Sequence, residues 1–164
     1  MSSSSNSRVS RTAEGYVVRI MGRGTMRQSP AVHAFVRHVL ESEPGCVVID
    51  LNRCDYLDST FLGCLIDLHR RHGVKPPARL VLAAGDEARR RLLAPSCLDG
   101  LFVYAAETPE EVGRELELPA VALDREELGR HVLECHRRLI EVGTPAQAAL
   151  EGVVERLAHE LSVS

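Results

Sequence analysis

The chain predicts an α/β fold: a mixed, mostly parallel sheet with about four helices, followed by a C-terminal α-helical hairpin. Three observations carry this. Short aliphatic runs, Val47-Val48-Ile49 and Leu80-Val81-Leu82 foremost, are unbroken by polar residues, as strands buried on both faces are. They alternate with stretches such as Val32, Phe35, Val36 and Val39, where apolar residues recur at helical spacing, and such alternation places helices between parallel strands. From Pro119 onward strand patterns stop and two amphipathic helical segments follow.

The Ser-rich stretch from Ser2 to Ser7 lacks both apolar residues and periodicity, so residues 1–8 are expected to be a disordered tail. A strand near Val9–Thr12, a turn at Glu14-Gly15 and a strand over Tyr16–Met21 make a hairpin, closed by Gly22 and Gly24. Ser29-Pro30 reads as a hydroxyl cap with proline at the first helical position, and this helix runs to Leu40. Pro44-Gly45 ends the connection, and Val47–Leu51 is the central strand. The chain turns past Asn52-Arg53. From Thr60 a helical stripe of Leu62, Leu65, Ile66 and His69, flanked by Phe61 and Leu68, continues until Gly73. Lys75–Ala78 is a loop, Arg79–Ala84 a further buried strand, and Asp86 caps a helix to about Leu93. Pro95–Gly100 turns, Leu101–Tyr104 is a last short strand, and Thr108-Pro109-Glu110-Glu111 is read as a capping box opening one more helix. These elements make one domain over residues 9–118.

Residues 119–164 form the hairpin. Asp124 caps its first helix with Glu127 three positions on, and Leu128, Val132, Cys135 and Leu139 make the apolar stripe. Gly143-Thr144-Pro145 breaks the chain, Thr144 and Gln147 suggest a second box, and Ala146, Ala149, Leu150, Val153, Leu157 and Leu161 mark the next inner face. The stripes must be buried, either on the α/β body or against a second copy in a four-helix homodimer through residues 119–164. The dimer is the favoured expectation.

Composition excludes several classes of function. At 164 residues the chain buries a full core without staples, and with no Trp and 4% aromatics that core is aliphatic. A net charge of −3 argues against direct nucleic-acid binding. The runs His69-Arg70-Arg71-His72 and Arg89-Arg90-Arg91 fit the last turns of helices, where cations complement the dipole. Five cysteines, Cys46, Cys54, Cys64, Cys97 and Cys135, form no close pair, which suits a reducing cytoplasm. No apolar run approaches the roughly 20 residues that span a bilayer, so no membrane association is expected.

No catalytic set converges either, and the chain is not expected to be an enzyme or to carry a cofactor or metal. On a helix His131 and Cys135 share a face while His136 points away, so an ion there lacks a third ligand; these residues are expected at the core edge or in solvent. His69 and His72, one turn apart, also lack a third ligand. Asp50 resembles a phospho-accepting strand-end aspartate, but Met21-Gly22-Arg23-Gly24 supplies no acidic pair for magnesium. Ser59 lacks a glycine-flanked elbow and a base. Ser29, Thr108 and Thr144 are read as caps before proline and nothing more.

What remains is Asp58-Ser59-Thr60, where loop becomes helix. Read locally it is a helix cap, since a first turn has unpartnered N–H groups. In context, Leu57-Asp58-Ser59-Thr60-Phe61-Leu62-Gly63 after an apolar strand resembles the STAS domain, the fold of bacterial anti-sigma factor antagonists. The strand closing on Gly22, the helix after Ser29, the strand around Val81 and the Cys97–Phe102 turn stand in the family's order, over about residues 9–117. Two positions depart from the pattern: Phe61 replaces a glycine, and Arg23-Gly24-Thr25 stands where an acidic residue is common. The resemblance implies a regulatory module that binds an anti-sigma factor which is also an ATP-binding serine kinase. It implies phosphorylation at Ser59, reversal by a phosphatase, and partner contacts at Asp58, Thr60, Phe61 and Leu62. The alternative it leaves open is a non-phosphorylated STAS adaptor subunit of a transporter or signalling scaffold.

Overall fold

The computed structural model describes residues 6–143 and 147–163. A tight hairpin joins β1 (Ser7–Thr12) to β2 (Gly15–Ile20). Its corner needs Gly15, because φ is 155° there and a Cβ would lie 1.9 Å from the Cys46 carbonyl oxygen. The short β3 (Gly22–Gly24) leads to α1 (Ser29–Ser42), then β4 (Cys46–Asp50), β5 (Cys54–Leu57) and α2 (Ser59–His72). β6 (Leu80–Ala83), α3 (Asp86–Leu92) and β7 (Glu111–Glu117) complete the body, and α4 (Arg125–Val142) and α5 (Gln147–Val163) form the hairpin. The main sheet has the order β6-β4-β2-β1-β7, with β4 parallel to both neighbours and β1 antiparallel to both of its own. β3 and β5 pair in parallel as a separate ribbon.

The β-branched alternation of β2 and β4 explains the core. Val18, Ile20, Val47 and Ile49 face the helices and are fully buried with Leu65, Ile66 and Leu68 of α2 and Leu80 and Leu82 of β6. Each such side chain contributes roughly 1.5–3 kcal/mol on leaving water. The predicted α/β architecture with its helical hairpin is the one observed. Among the described residues no helix is long and apolar enough to cross a membrane.

Several local expectations change. Ser7 and Arg8 belong to β1 and not to a tail. β5 was not expected, because Cys54-Asp55-Tyr56-Leu57 is too short to show a period; it forms by pairing with β3. Leu101–Tyr104 makes only an isolated bridge, between Tyr104 and Leu82. The Thr108–Glu111 box opens no helix: Glu111 starts β7, which pairs with the otherwise open edge of β1. There Arg19 bridges Glu111 at 2.6 Å, so a sheet edge and a cross-strand ion pair override the local capping pattern. Gln28, not Ser29, is the N-cap residue of α1, and Gly85, not Asp86, precedes α3. The proposed Thr144 cap lies outside the described residues.

α4 lies along α2 of its own chain and α5 packs on α4. Leu133, Cys135, His136 and Leu139 are buried there, while Val153 of α5 is 41% exposed. Of the expected α4 stripe, Cys135 and Leu139 are buried within the chain, while Leu128 and Val132 are half-buried.

Candidate functional site at the head of helix α2

Asp58 has the extended backbone of an N-cap, and its Oδ1 accepts from the Phe61 N–H at 2.8 Å. Its Oδ2 accepts from the Met26 N–H, also at 2.8 Å, which ties the loop before α1 to the head of α2. Both carboxylate oxygens are thus engaged. Ser59 follows as the first residue of the helix, and its Oγ shares a 2.9 Å hydrogen bond with Nε2 of His136 on α4. Thr60 Oγ1 lies 3.4 Å from the same nitrogen. Burial lowers the His136 pKa, partly opposed by the negative charge of Asp58, so the ring is neutral near pH 7. Its other nitrogen, Nδ1, is buried without a partner among the described residues.

One turn further along α2, the two helices meet backbone to side. A Cβ on Gly63 would lie 1.9 Å from the Cys135 carbonyl oxygen, so only glycine admits α4 at this distance. The next turn carries Asp67, which receives hydrogen bonds from His33 Nε2 at 2.7 Å, Arg71 Nε at 2.9 Å and Arg138 Nε at 2.9 Å. Burial alone would raise its carboxyl, but these three donors hold it well below the usual carboxylate range. Beside this row, Ser29 Oγ meets His131 Nε2 at 2.8 Å, and the Cys135 thiol lies 3.6 Å from the same nitrogen. Burial, aided by His33, pushes His131 down to about 4, and burial pushes the Cys135 thiol up to about 12. The seam between α2 and α4 therefore combines hydrogen bonds and neutral imidazoles with apolar contacts at Cys135 and Leu139.

Of the five residues predicted at the site, Asp58, Ser59 and Thr60 converge on one spot. Phe61 and Leu62 do not form an exposed apolar patch. Phe61 is fully buried and Leu62 is 6% exposed. Gly24 explains the first: a Cβ there would lie 2.6 Å from Leu57 and 3.2 Å from Phe61, so a glycine on β3 makes room for the aromatic ring. Phe61 thus fills core volume rather than a partner surface, and Thr60, 3% exposed, is likewise covered. Met26 and Tyr56 are large hydrophobic side chains exposed at this end, at 41% and 43%, with the Arg23 guanidinium 4.3 Å above the Tyr56 ring. Sequence reasoning missed both, because neither sits on a periodic face. It also set aside Ser29, His131 and His136, whose partners lie far away in the chain; the only local sign was three polar side chains on otherwise apolar helix faces. Among the described residues, no three His, Cys, Asp or Glu side chains are grouped to hold a metal ion.

A family model described as Mlab, STAS domain matches residues 7–104. No curated protein matches the chain. The matched span runs from β1 through the Leu82–Tyr104 bridge and contains the whole head of α2, leaving β7 and the hairpin as additions. With its strand order, its Asp58-Ser59-Thr60 junction and a match over more than half its length, this chain belongs to the STAS domain family.

Proposed function

We propose that this STAS chain is a protein-binding regulatory module of the anti-sigma factor antagonist type, switched by phosphorylation of Ser59. The observation that carries the reading is the position of Ser59: first residue of a 14-residue helix, directly after its Asp58 cap. A phosphoryl group adds roughly 1.5 to 2 negative charges. A helix N-terminus tolerates them, through free N–H groups and the dipole. The partner is an anti-sigma factor with ATP-dependent serine kinase activity, and a phosphatase restores the unmodified form. Its contact surface centres on Asp58 and Ser59 and extends over the exposed Met26 and Tyr56. A dianion at that centre weakens binding by desolvation and repulsion.

Incubation with the cognate kinase and ATP, followed by phosphopeptide mapping, tests this directly. Modification at Ser59 is expected, and Ser59→Asp should weaken partner binding while Ser59→Ala preserves it. Modification elsewhere, or equal affinity of both variants, sinks the reading. A second reading is favoured by the hydrogen bond that already engages the Ser59 hydroxyl under α4. In it the chain is a non-phosphorylated adaptor of a transporter or signalling scaffold. Co-purification with such a component, unchanged by Ser59→Ala, would select it.

A further inference from the structure

We propose that α4 is a releasable cover, held in cis on the regulated face of α2, and that a phosphoryl group on Ser59 drives it off. The inference rests on Ser59 being the modified residue, and it adds what that modification does.

Ser59 is half-buried, and in its observed rotamer the geometry has no room for the group. Ser59 Oγ and His136 Nε2 are 2.9 Å apart, with Thr60 Oγ1 at 3.4 Å on the other side and His136 only 6% exposed. A phosphorus with three oxygens does not fit between them. Retreat toward Asp58 is also closed, because its carboxylate is fixed by Phe61 and Met26 N–H groups and repels a dianion. α4 also has no slack along α2, since Gly63 and the Cys135 carbonyl are in contact one turn on. Bulk at Ser59 therefore levers the whole helix.

The seam is built to let go. Beside the buried Cys135 and Leu139, its contacts are side-chain hydrogen bonds, the Asp67 cluster and a glycine crossing, and Arg71 and Arg138 of that cluster retain 40% and 26% side-chain exposure. The segment between β7 and α4 makes the motion local: Pro119, Ala120, Val121 and Ala122 are exposed and outside any helix or strand. Release uncovers Ser29, Thr60, Gly63 and Asp67, a narrow polar helix-binding strip, and frees the matching face of α4. By linkage, docked α4 disfavours modification of Ser59 by the same factor, so the cover also sets how readily a kinase reaches the hydroxyl.

The chain's own cysteines report the outcome. Cys135 is 3% exposed beneath the cover, and Cys54 in β5 is fully buried in the body. The full chain carrying phosphoserine at position 59, installed during translation and without any kinase, is compared with the unmodified chain. Both are treated with a maleimide, and labelling is followed by peptide mass. Cys135 is expected to react at least tenfold faster in the phosphorylated chain while Cys54 stays protected. Unchanged or slower labelling of Cys135 overturns the proposal, since the phosphate would then be accommodated or clamped by His136. Equal gains at Cys135 and Cys54 also overturn it, because the domain would be unfolding. Gly63→Leu, which adds bulk at the same seam without charge, must accelerate Cys135 in the same way, and failure there overturns the lever. Because no kinase is used, failure of this experiment is separable from failure of Ser59 as a natural substrate.

Discussion

The two long sides of α2 are held by different physics. Toward the sheet it presents Phe61, Leu65, Ile66 and Leu68, all fully buried in one aliphatic core. Toward α4 it presents Ser59, Gly63 and Asp67, small or polar residues met by His136, the Cys135 carbonyl and Arg138. The first side is non-directional and costly to open, because every exposed methylene returns to water. The second joins directional hydrogen bonds to a smaller apolar contact at Cys135 and Leu139. Each of its hydrogen bonds is exchanged for one to water on opening, at a net cost of about 1 kcal/mol. The lesson is that a single helix serves as core on one flank and as a detachable contact on the other.

That contrast is open to attack at both flanks. The largest effect is expected from Phe61→Ala, which removes a fully buried ring and should cost about 3–5 kcal/mol of global stability in denaturant melts. Stability within 1 kcal/mol of the parent would mean that this flank is not a tight core. Gly63→Ala attacks the other flank: its Cβ clashes with the Cys135 carbonyl, and about 1–3 kcal/mol of α4 docking should be lost. Hydrogen exchange should then accelerate in residues 125–142 while β4 keeps its protection, and a uniform loss would erase the distinction.

Acid should act on the α4 flank and, in the same direction, on the far end of α2, where burial lowers His69 and His72. His131 is held down at about 4 by burial, and His136 is lowered in the same direction, so the undocked helix binds protons that the docked one does not. Docking is therefore fully present above about pH 6.5 and weakens as pH falls toward 4. The loss for His131 is roughly 1.4 kcal/mol per pH unit within that window. His33 and Asp67 are the charged or titratable neighbours of that ring on α1 and α2, the former lowering and the latter raising its pKa. Exchange rates of α4 amides, corrected for their intrinsic pH dependence, should rise on acidification, and a flat profile would contradict the assignment of neutral buried imidazoles. The smallest effect is expected far from both flanks. Leu116→Thr on β7, 61% exposed, should change stability by no more than about 0.5 kcal/mol, and a larger loss would reveal a third packed surface.

Where a local pattern met no competing contact, the chain's sequence was a reliable guide. The β-branched run of β4, the helical period of α2, the Asp58 and Asp124 caps and the left-handed Gly143 at the end of α4 are all decided within a few residues. Steric and hydrogen-bonding preferences over one or two turns suffice for these. The head of α2 was legible for the same reason, since cap, hydroxyls and helix start are contiguous. Only the tertiary structure decided the rest. Glu111–Glu117 became a strand because β1 offered an open edge and Arg19 a partner for Glu111. Phe61 went inward because Gly24 on another element leaves room. Ser59 is covered because His136 reaches it from 77 positions away. Local preferences are free energies of about 1 kcal/mol or less per residue, and contacts between distant segments override them once a shared core brings those segments together.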